Sequence, residues 1–98
     1  MARNKKTRRK RPFEQHTDLE DFLIVLGIHI KTTRKKNGFS SYETFAHDIE
    51  LSRAAMARYE KGLSDMRISS LLKITDGMGL TLKEFFTTFD QSTVKKTK

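Results

Sequence analysis

From Leu19 onward the apolar residues fall at Leu19, Phe22, Leu23, Leu26 and Ile30, the i, i+3, i+4, i+7, i+11 spacing that lines one face of an α-helix. This pattern predicts a first helix that ends near Asn37-Gly38. Ile24, Val25 and Ile28 add apolar surface off the stripe, so the helix is either central in the fold or shared with a partner chain. Downstream, Ser40-x-x-Glu43 has the form of a capping box, in which the hydroxyl accepts from the backbone N–H three residues on and the carboxylate accepts from the cap's own N–H. A short helix follows, with Phe45, Ala46 and Ile49 as its apolar face. The stretch ELS interrupts the pattern. Ser52 is then a second N-cap, Met56 and Tyr59 lie three apart on one face, and Gly62 is a natural stop. A single helix through AHDIELSRAAM would need no cap at Ser52 and would set Ile49, Leu51 and Met56 on diverging faces. Two helices are expected there instead.

The segment from Gly62 to Arg67 reads as loop. Ile68, Leu71, Leu72, Thr75 and Met78 mark the face of a fourth helix with Gly79 just past its end. Thr81-x-x-Glu84 is another capping box and opens a fifth helix, whose buried face is Leu82, Phe85, Phe86 and Phe89. No segment alternates with period two for long enough to make a strand, and there is no internal repeat. The expected fold is therefore all-α, a five-helix bundle over residues 19–89, preceded by a largely disordered basic arm (1–18) and followed by a frayed basic tail (90–98).

Charge changes this picture at the ends. The chain of 98 residues carries a formal charge of +8, but Arg3, Lys5, Lys6, Arg8, Arg9, Lys10 and Arg11 supply seven of its basic groups before residue 13, with no acid among them. Lys95, Lys96 and Lys98 add three at the other end, which leaves ten basic against twelve acidic residues between. Such a block repels itself until it meets a polyanion, most plausibly nucleic-acid phosphate, or else is a solvated tail. A basic start followed by FLIVLGI has the outline of a secretory signal. Four intervening acids (Glu14, Asp18, Glu20, Asp21), the missing small-residue cleavage site and the following KTTRKK exclude it. The apolar run is also too short to span a bilayer. The absence of cysteine excludes disulfides and thiolate metal sites and fits the cytoplasm. His16, His29 and His47 show no ligand spacing, no glycine-rich phosphate loop exists, and nothing positions a Ser/His/Asp triad. A chain this short builds one modest core with no deep catalytic cavity in addition, so a binding module without cofactor or metal is expected rather than an enzyme.

Two short helices cross steeply only where a small residue sits at their contact and an apolar one fills the space beside it. Ala46 and Met56 are spaced for this. With Phe45-Ala46 in the first helix, Leu51-Ser52 entering the second, Arg58-Tyr59-Glu60-Lys61-Gly62 leaving it, and SLLKITDGMGLTLKEFF from Ser70 to Phe86 as a closing pair, the chain resembles the helix-turn-helix domain of the lambda-repressor-like (Xre-type) transcription regulators. The resemblance covers about residues 26 to 86. It implies a double-stranded DNA binder, acting as a homodimer, whose second short helix enters the major groove. Arg53, Ala54, Ala57 and Arg58 would then read bases: arginine bonds guanine O6 and N7, and alanine methyls touch the thymine methyl. Ser41, Tyr42, Ser52, Lys61, Ser64 and Arg67 would meet phosphate, with the basic arm following the DNA backbone or an adjacent minor groove. Arg34 and Glu60 occupy positions that form an internal ion pair in the family, and Ala46, Glu50 and Met56 are structural.

The chain departs from the family pattern in two places. Glu50 stands where the turn usually has glycine, and the link GFSS is one residue longer than usual, which puts Tyr42 where the family often carries a DNA-contacting glutamine. Two other functions use the same features. One is an antitoxin-like adaptor that binds a protein partner, such as a toxin or polymerase, with autoregulatory DNA binding; the other is a nonspecific nucleic-acid binder driven by the tails.

Overall fold

Residues 17–89, described by the computed structural model, form α1 (Thr17–Lys36), α2 (Tyr42–Asp48), α3 (Arg53–Lys61), α4 (Ile68–Gly77) and α5 (Leu82–Phe86). There is no strand among the described residues. The basic arm residues Arg3, Lys5, Lys6, Arg8, Arg9, Lys10 and Arg11 and the tail 90–98 lie outside them. No helix described is long and apolar enough to cross a membrane.

The bundle is organised around α1 and α3. Leu26, Ile30, Phe45, Ala46, Met56, Leu71, Ile74, Met78 and Phe85 form one continuous core to which every helix contributes. α1 starts at Thr17, two residues before the first residue of its apolar stripe. Its buried residues are Val25, Leu26, Gly27, Ile30 and Arg34, while Ile24 and Ile28 remain 42% and 53% exposed. Val25 thus belongs to the core and not to surplus surface beside Ile24 and Ile28. The stripe is wide because α1 is covered on two sides. On one, Gly27 lies against the Tyr59 and Glu60 backbone of α3; on the other, Phe22 meets Phe89 edge-on and His29 bonds the Phe85 carbonyl and packs on the Phe85 ring.

Three details differ from the sequence pattern: the cap of α2, the face of α4 and the exposure of Leu82. The N-cap of α2 is Ser41, whose hydroxyl accepts from the Thr44 N–H at 3.1 Å, so Ser40 and Glu43 do not form a capping box. The way α1 ends decides this. Phe39 N–H donates to the Arg34 carbonyl and the Arg34 guanidinium donates to the Phe39 carbonyl, while the Phe39 ring stacks on Phe45, and the first free hydroxyl in helical register is then Ser41. In α4 the buried set is Ser70, Leu71, Ile74, Thr75 and Met78, whereas Ile68 and Leu72 are exposed. Ser70 faces inward with its hydroxyl 3.4 Å from the Tyr59 hydroxyl, and the apolar residues that reach the core are Leu71, Ile74 and Met78, about one turn apart, which leaves Ile68 and Leu72 outside. The capping box of α5 forms as expected, with Thr81 N–H to Glu84 Oε1 at 2.8 Å and Glu84 N–H to Thr81 Oγ1 at 3.0 Å. Phe85 is buried, Phe86 and Phe89 are half-buried, and Leu82 is exposed.

Candidate nucleic-acid interface

α2 and α3 are separate helices joined by a tight turn, and the turn is built from backbone bonds. Leu51 N–H donates to the Ala46 carbonyl at 2.9 Å and Glu50 N–H to the His47 carbonyl at 3.1 Å, the paired bonds of a Schellman motif that satisfy the last carbonyls of a helix. The motif requires a left-handed residue between them. Glu50 fills that place with φ 62°, the sole non-glycine residue with positive φ among those described. α1, α3 and α4 end in the same pair of bonds with Gly38, Gly62 and Gly79 at the left-handed position. The Glu50 carbonyl also accepts from Lys73 Nζ at 3.3 Å, which ties the turn to α4. Ser52 then caps α3, its hydroxyl accepting from the Ala55 N–H at 3.0 Å.

The inner side of α3 is held at several points. Met56 and Ala46 are both fully buried at the crossing with α2. Near its end, Glu60 pairs with Arg34 through two parallel bonds, Nε to Oε2 at 2.7 Å and Nη2 to Oε1 at 3.1 Å, with 2% and 7% of the two side chains exposed. The third guanidinium nitrogen, Nη1, reaches the Phe39 carbonyl at 2.6 Å. A buried pair needs this degree of saturation, because each charge has lost its water. A Cβ on Gly27 would come within 2.5 Å of the Tyr59 carbonyl oxygen, so α1 and α3 meet backbone to backbone.

With that side committed, the outer side of α3 presents Arg53, Ala54 and Arg58 exposed and Ala57 half-exposed. Beside them, Lys31, Tyr42, Ala57 and Lys61 line a recess of about 180 Å³ together with Arg34 and Glu60. The recess brings together three of the residues singled out in the sequence as DNA-facing, Tyr42, Ala57 and Lys61, with the expected structural pair Arg34 and Glu60, and adds Lys31, which sequence reasoning missed. Lys31 was legible only as a polar position on α1. Ser41 and Ser52 are exposed at the starts of α2 and α3, with their oxygens engaged as caps. Ser64 and Arg67 belong to the link between α3 and α4 and do not line the recess. Arg67 is the N-cap position of α4 without a side-chain bond there. Glu43, displaced from its expected capping role, instead accepts from Arg53 Nη1 at 3.3 Å across the two helices.

The surface so formed carries two arginines and two alanines on one helical face, flanked by lysines and a phenol. A protein described as "Control protein C.MunI", from a Mycoplasma species, is 33% identical over 73 residues, which are 74% of this chain and 99% of that protein. No family model matches the chain, and no solved structure matches it.

Proposed function

Because the chain belongs to the family of the control protein C.MunI, we propose that it is a sequence-preferring double-stranded DNA-binding transcription regulator of the lambda-repressor-like, Xre-type helix-turn-helix group. It acts by binding and not by catalysis. The observation that carries this reading is the two-sidedness of α3: Met56 and Glu60 lock one side into the bundle, and Arg53, Ala54, Ala57 and Arg58 are left on the other. In the major groove the arginines take guanine edges and the alanine methyls meet thymine. Tyr42, Lys61 and Lys31 seat the flanking phosphate, and Ser41 and Ser52 approach it from the helix starts.

Four side chains make a sparse code, so phosphate contacts supply much of the affinity and a second copy supplies the length of the site. The chain binds as a homodimer to a partly palindromic duplex with half-sites roughly 34 Å apart. Apolar side chains are exposed for such a contact on α1 (Ile24, Ile28) and on α4 and α5 (Ile68, Leu72, Leu82). Regulation follows by occlusion or recruitment at a promoter.

Selection from a random duplex library at physiological salt tests this directly. The expected result is a recovered motif with two-fold symmetry. Equal binding to every duplex would defeat the sequence preference, and preference for single strands would defeat the duplex reading altogether.

A further inference from the structure

Glu43 is an acidic side chain at the edge of a surface whose proposed ligand is a polyanion. Any carboxylate there weakens general attraction to phosphate. Glu43 lies in the first turn of α2, where a negative charge favours the helix, but it is not the carboxylate of a capping box, because Ser41 caps that helix through the Thr44 N–H. Its Oε2 lies 3.3 Å from Nη1 of Arg53, the first residue of α3 and ten positions along the chain. Both side chains are largely exposed, at 54% and 73%, so among the described residues the guanidinium is directed by this bond and not by packing.

We infer that Glu43 is a specificity-determining positioning residue, whose carboxylate aims the Arg53 guanidinium at a base edge and keeps it from closing on the nearest phosphate. The inference rests on the DNA-reading role of α3. An arginine at the mouth of a reading helix has two classes of acceptor within reach, guanine O6 and N7 and the phosphate oxygens, and only the first carries sequence information. Its long side chain visits many rotamers when free. Holding Nη1 from the α2 side restricts that search and leaves the Nη2 edge of the planar fork for the base. The same negative charge opposes a rearrangement toward the backbone, since phosphate and carboxylate repel. Discrimination gained by weakening the wrong complex is as effective as discrimination gained by strengthening the right one.

The test uses the full chain with Glu43→Ala and Glu43→Gln, each alone and combined with Arg53→Ala. Affinities are measured for the selected duplex, for the same duplex with each base pair changed, and for random duplex. Circular dichroism melting shows that the variants fold. Glu43→Ala should tighten binding to random duplex and reduce the preference for the base pair read by Arg53 by roughly two- to fivefold, the range of an exposed ion pair. Glu43→Gln, which retains an acceptor without the charge, should tighten random binding equally but lose less of the preference. In the Arg53→Ala background neither substitution should alter base preference. An unchanged preference in Glu43→Ala, or an equal loss with and without Arg53, would overturn the inference. If the unaltered chain selects a motif and Arg53→Ala leaves every base preference intact, the inference falls while the DNA-binding reading stands; if the unaltered chain selects nothing, both fall.

Discussion

Replacing Glu50 by glycine should stabilise the protein, although it removes a side chain and puts the most flexible residue into a turn. Glu50 is held at φ 62°, where the Cβ of an L-residue crowds its own backbone at about 1–2 kcal/mol. Glycine removes that strain. Against this stands the extra freedom that glycine gives the unfolded chain, about 0.4–1 kcal/mol. Residue 50 holds the turn through main-chain atoms alone, its N–H to the His47 carbonyl and its carbonyl from Lys73 Nζ, beside the Leu51 N–H bond to the Ala46 carbonyl. All survive the substitution, and the side chain itself is exposed. The net gain is therefore centred on about 0.8 kcal/mol, which raises the melting temperature of a domain of this size by about 3–6 °C. Chemical denaturation of Glu50→Gly beside Glu50→Ala measures it. Alanine has a Cβ and keeps the strain, so it should lie within about 0.5 kcal/mol of the parent. Glycine no more stable than alanine would refute the claim that this turn stores strain.

Glu60→Ala should destabilise the fold by about 3–5 kcal/mol, because it leaves the Arg34 charge buried without its partner; guanidinium denaturation reads this, and a loss under 1 kcal/mol would show that water replaces the carboxylate. Gly27→Ala should lose at least 1–3 kcal/mol by overpacking, since its Cβ meets α3 backbone and not a flexible side chain; a melting temperature within a degree of the parent would mean that α1 and α3 are not in close register. Arg58→Ala should weaken binding to the selected duplex by about 1–3 kcal/mol while leaving random duplex closer to intact, and an equal loss on both, measured by titration, would confine Arg58 to phosphate. Deleting residues 1–12 should flatten the salt dependence, as log affinity changes by roughly 0.9 per phosphate contact per decade of salt, and an unchanged slope would make the arm a bystander.

Features set by neighbours in sequence were legible before the fold was known. The caps at Ser52 and Thr81, the glycine stops at Gly62 and Gly79, and the break between α2 and α3 are local backbone chemistry, and each is found where the pattern puts it. Ser40 had the better local pattern, with Glu43 three residues on, yet the cap is Ser41, next to a link whose Phe39 carbonyl is held by Arg34 from α1. The face of α4 likewise depends on packing between helices, with Leu71, Ile74 and Met78 in the shared core. The pairing of Arg34 with Glu60 was expected through the family resemblance and not through spacing, and the resemblance marked Glu50 as a departure in the turn without fixing its backbone. Glu43 with Arg53 and Lys73 with Glu50 join positions on different helices, which periodicity does not register. Gly27 did leave a trace, a glycine in the middle of a strong helical pattern, and such a glycine has a packing reason more often than not.

The buried tethers of α3 lie on the side away from Arg58: Met56 in the core, Glu60 on Arg34, and the close approaches at Gly27 and Gly62, while the outer side carries the exposed Arg53–Glu43 pair. Anchorage and the proposed vocabulary are therefore written largely in different letters of the same nine-residue helix. Exchanges at the exposed positions 53, 54 and 58 should then alter the proposed target with little effect on the melting temperature, whereas the half-buried Ala57, beside Arg34 and Glu60, answers to the fold as well.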